Sequence, residues 1–102
     1  MARATCIDDK NRPPEIPLSK WVKEGEQYNI IRVCRGERYG GQFVCQLMEI
    51  DLDESCAPYE FFMLKRFAIP IEDLQLLIDI IENGEDITEL LTEINHLEPI
   101  LL

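Results

Sequence analysis

Beyond Arg66 the chain contains no lysine or arginine, while nine aspartates and glutamates fall in those last 36 residues. The net charge is −10. Loose binding to nucleic-acid phosphates depends on Lys and Arg displacing counterions, so this balance disfavours it and suits a basic protein surface better. Histidine occurs once, at His96, and the four cysteines (Cys6, Cys34, Cys45, Cys56) form no C-x-x-C pair. Zinc chemistry and a Cys–His nucleophile both lack their usual parts. There is no glycine-rich phosphate loop and no apolar run near the roughly 20 residues of a membrane span. The opening residues carry no export-type apolar stretch, so a cytoplasmic location with reduced thiols is the expectation.

What is present suits one α+β domain over residues 1–102. Up to Asp51 eight basic residues balance eight acidic ones, leaving the negative charge to the C-terminal part. A β-rich body is expected over residues 4–69, as a strongly bent antiparallel sheet or small barrel. Strand candidates are Ala4 to Asp8, Tyr28 to Cys34, Gln42 to Leu52 and Tyr59 to Ile69. Three prolines between Asp9 and Pro17 impose an extended loop. Two strands change phase: between Ile30 and Ile31, and between Leu47 and Met48. Such slips require a bulge or cover on both faces. Phe61, Phe62, Met63 and Leu64 are apolar on both parities, which predicts core on one side and a covering helix on the other.

From Pro70 the period becomes helical. Ile71, Leu74, Leu77, Ile78 and Ile81 form one stripe, with Leu76 and Ile80 widening the apolar arc. Asn83-Gly84 ends this helix, and Asp86 to Leu97 predicts a second, so residues 70–97 read as an acidic helical hairpin. Residues 98–102 form an apolar tail.

The run from Ile7 through Pro13-Pro14 to Lys20-Trp21-Val22-Lys23-Glu24-Gly25-Glu26-Gln27-Tyr28 resembles the opening of small proteins of bacterial genomes and phages. Gln46 to Ile50 and Lys65-Arg66-Phe67 are similar to the rest of that pattern. The resemblance spans about residues 4–67. It implies an SH3-like small barrel and no established activity, so it carries over no catalytic residue, metal or cofactor. The segment after Pro70 lies outside it.

Candidate chemistry is sparse. Asp51-x-Asp53-x-Ser55 lacks the glycine and final glutamate of a calcium loop and reads as a solvated turn. The expected function is non-enzymatic protein interaction, with a partner chain or a second copy. Leu76 and Ile80 would anchor it, and Glu72, Asp79, Glu82 and Glu89 would steer a basic partner. The alternative is a nucleic-acid-associated module of a mobile element using the hairpin tip, where Arg35, Arg38 and Tyr39 combine cations with an aromatic ring. Trp21, Tyr28, Tyr39 and Tyr59 also raise an aromatic groove for a peptide, with Trp21 as a core plug the competing assignment.

Overall fold

The computed structural model describes residues 2–81 and the backbone of 95–97. Strands β1 (Ala2–Cys6), β2 (Gln27–Arg35), β3 (Phe43–Leu47), β4 (Phe62–Met63) and β5 (Phe67–Pro70) pair antiparallel in the order β4-β3-β2-β1-β5. One short helix follows, α1 (Leu74–Asp79), after a 3-10 turn at Ile71–Asp73. A sixth strand, β6 (Asn95–Leu97), adds parallel to β5.

Connectivity shows why the sheet curls. β4 and β5 are four strand spacings apart, about 19 Å in a flat sheet. Only the 3-10 turn Leu64–Arg66 joins them, and three residues of that geometry advance about 6 Å. The two strands must therefore approach each other around a half-barrel, and buried Leu64 plugs the gap they leave. This meets the expectation of a small, strongly bent antiparallel sheet and is compatible with an SH3-like fold. The inner face packs Ile30, Val33, Phe43, Leu47, Phe67 and Ile69.

The two phase slips have different causes. In β2 the pairing jumps between Ile30 and Arg32, so Ile31 is an extra residue that turns outward and is exposed. In β3 the strand simply stops at Leu47. Met48 is exposed, while Ile50 and Leu52 reach the core from the following loop. The long fourth strand expected over Tyr59 to Ile69 is broken into β4 and β5, whose partners are β3 and β1. Phe62 and Leu64 enter the core. Phe61 and Met63 line a surface slot in place of the expected covering helix.

The C-terminal part also departs from expectation. Pro70 ends β5 instead of opening a helix, and α1 is only six residues long. Leu77 is buried, with Leu74, Ile78, Ile80 and Ile81 packed around the core. Ile80 is thus partly covered within the chain, whereas Leu76 is exposed. Asn95–Leu97, including His96, is extended and not helical; its pairing with β5 satisfies backbone groups that a helix end would leave to caps. The rest of the expected second helix, with Glu82, Glu89 and the 98–102 tail, lies outside the described residues. No described helix is long and apolar enough to cross a membrane.

Candidate functional site

The hairpin from β2 to β3 builds the site. Its tip carries a 3-10 turn, Glu37–Tyr39, followed by Gly40 and Gly41, both at positive φ. Two successive left-handed residues reverse the chain without a Cβ clash. Gly36 has a different task. A Cβ there would lie 2.6 Å from Tyr39 Cδ2 and 3.0 Å from Val44 Cγ1, so the glycine makes room for the tyrosine ring.

Tyr39 is held firmly. Its hydroxyl donates to the Phe61 carbonyl at 3.2 Å and accepts from the Phe61 amide at 3.4 Å. Its ring meets Phe61 edge-on at 6.4 Å and Tyr59 at 6.5 Å. Two depressions lie on either side of this Tyr39–Phe61 wall. On one side is a slot of about 130 Å³ bounded by Trp21, Tyr59, Phe61, Met63 and Pro13. On the other is an open cleft of about 390 Å³ bounded by Arg32, Cys34, Arg35, Arg38, Glu37 and Glu60. The Arg32 guanidinium sits 5.3 Å from the Phe61 ring centre and that of Arg35 sits 4.4 Å from Phe43. Stacking of this kind orients a planar guanidinium and leaves its edge for a planar anion.

Trp21 serves both assignments raised from the sequence. One side packs on Phe62 at 5.8 Å, while the remainder lines the slot. Its indole Nε1 donates to the Asp9 carbonyl at 2.6 Å. Arg66 stacks over Trp21 at 4.8 Å and donates to the Asp8 and Lys10 carbonyls, tying the proline-rich loop to the barrel. Tyr39 and Tyr59 join Trp21, but Tyr28 does not. It is buried against Phe67, and its burial pushes the phenol up.

The other basic and acidic residues do local structural work. Lys20 pairs with Asp53 at 2.6 Å. Asp53 also accepts from the Ser55 amide at 2.9 Å, capping the turn Glu54–Cys56, so both its oxygens are engaged. The Lys20 and Ser55 hydrogen bonds hold the Asp53 carboxyl down at about 2, and the Asp53 bond raises the Lys20 ammonium. Asp9 accepts from the Glu24 amide, and Glu49 grips both nitrogens of Asn29. These contacts support the turn interpretation of Asp53 and Ser55 over a calcium loop. All four cysteines are free thiols. Burial drives the Cys45 thiol far above its ordinary range, which makes it inert.

Arg35, Arg38 and Tyr39 therefore come together as expected of a hairpin tip. Sequence reasoning missed Arg32, Phe61 and Pro13 as their neighbours. Phe61 is remote in sequence and reaches the tip only because β4 pairs with β3. The aromatic-plus-arginine composition of the segments was the one signal available. No protein-family model, curated protein or solved structure matches this chain.

Proposed function

We propose that this chain is a non-enzymatic protein-interaction module, and that the Tyr39 face of the barrel is its binding surface. The observation that carries the proposal is the continuity of the aromatic slot with the arginine cleft through one shared wall, Tyr39 and Phe61. Aromatic side chains beside arginine are the groups that concentrate binding energy in protein interfaces. They bury large area at low entropic cost and keep a polar group for orientation. Leu76, flanked by Glu72 and Asp79 on α1, offers a smaller apolar spot. It has no concave surface beside it to exclude water from a partner.

A second proposal uses the same face for single-stranded nucleic acid, with Tyr39 and Tyr59 as stacking platforms. Its support is the gathering of Arg32, Arg35 and Arg38 in one cleft.

Site-specific photocrosslinking tests both. A photoreactive residue is placed at Tyr59 or, for comparison, at Gln75 on the exposed side of α1. Protein adducts at position 59 that survive nuclease support the first proposal. Adducts that nuclease removes replace it with the second. Adducts confined to position 75 move the interaction to α1 and overturn both.

A further inference from the structure

We propose that the ligand of this face is an extended protein segment that sets a proline in the Trp21–Tyr39–Tyr59 slot and a carboxylate in the Arg32–Arg35–Arg38 cleft. The proposal deepens the protein-interaction reading and rests on it.

The slot indicates the first half of that ligand. Its walls are aromatic faces, and its volume of about 130 Å³ takes a single small apolar group. The chain already lays one proline, Pro13, against this surface. A second proline ring from a partner would find the same chemistry, and it arrives with little conformational entropy left to lose.

Charge indicates the second half. Three arginines and two glutamates border the cleft, in a molecule whose net charge is −10. The site is locally positive on an acidic protein. Screening limits its reach to about 8 Å at physiological salt. One or two carboxylates held inside that radius feel the arginines and can be met bidentately. A long polyphosphate runs beyond that radius and is repelled by the rest of the surface. A short anionic stretch in a peptide is therefore favoured over a nucleic acid.

Distance sets the register. The Tyr39 ring lies 6.4 Å from Phe61 and 6.5 Å from Tyr59, which gives the scale of the wall between slot and cleft. An extended polyproline-type chain advances about 3.1 Å per residue. The proline and the carboxylate should then be two or three residues apart.

Selection from a displayed library of random peptides tests this, using the full chain and three versions of it: wild type, Arg38→Glu and Tyr59→Ala. Arg38 is exposed and Tyr59 half-buried, so both variants keep the core intact. The expected winners pair proline with Asp or Glu at that spacing. Arg38→Glu should weaken them about tenfold or more, and Tyr59→Ala should do the same. Peptides without an acidic residue that still need Tyr59 would overturn the carboxylate while leaving the interaction surface standing. Peptides indifferent to Tyr59, or none at all, would overturn surface and ligand together. So would tighter binding of an oligothymidylate probe than of any selected peptide, measured by fluorescence anisotropy.

Discussion

Gly36 shows how one missing atom shapes the candidate site. Its backbone needs no unusual φ; what matters is the 2.6 Å that a Cβ would leave to Tyr39. In Gly36→Ala the ring must move, and overpacking of this kind costs about 1–3 kcal/mol. Chemical denaturation should register that loss. Nuclear Overhauser contacts between Tyr39 and Phe61 should weaken at the same time. A stable variant with those contacts intact would mean Tyr39 is not packed as described. Asp53 offers a second test at this scale. Its carboxyl is lowered from 3.8 to about 2 by Lys20 and Ser55. A depressed folded-state pKa means its contribution is present above the ordinary value and disappears as pH falls through about 2. Lys20 is raised, so its share is complete below its ordinary 10.5 and is lost as pH climbs past the folded value. Lys20 and Asp53 are 30% and 46% exposed, so solvent screens the pair and its contribution is small. An NMR titration of the Asp53 carboxyl carbon should give a midpoint near 2, and a midpoint near 3.8 would show that the contact does not form.

Within the elements, the bulge in β2 and the short α1 each separate two adjacent apolar residues into opposite fates. Ile30 is fully buried and Ile31 is 47% exposed; Leu77 is fully buried and Leu76 is 46% exposed. Truncating the buried member to alanine should cost about 2–5 kcal/mol. Truncating the exposed member should stay within about 0.5 kcal/mol. Urea midpoints of the four variants would settle each pair, and similar losses for Ile30 and Ile31 would place the bulge elsewhere. The bulge was readable because two β-branched residues in a row break a period of two. The end of β3 was not readable. Met48, Ile50 and Leu52 keep an apolar alternation after the hydrogen bonding has stopped, and only the packing of the following loop shows where they go.

At the scale of the whole molecule, a net charge of −10 works against compactness. Self-repulsion among carboxylates falls as salt shortens the screening length from about 10 Å at 0.1 M to about 3 Å at 1 M. Thermal midpoints should therefore rise with sodium chloride over that range. A falling midpoint would mean that attractive pairs such as Lys20–Asp53 outweigh the repulsion. The same charge balance confines an anionic ligand to the one locally basic cleft.

Composition and local pattern were enough to establish the bent antiparallel sheet, the proline-rich loop, the hairpin tip with Arg35, Arg38 and Tyr39, and the bulge at Ile31. Each depends on turn chemistry or on a period of two, and neighbouring residues express both. Long-range pairing determined the rest. The division of one apolar run into β4 and β5 follows from the pairing of its two halves with opposite ends of the sheet. The extended Asn95–Leu97 follows from a free edge on β5, which outweighs a helical period over three residues. The joining of Phe61, Arg32 and Trp21 to the hairpin tip follows from curvature, since residues far apart in the chain become neighbours only when the sheet closes on itself.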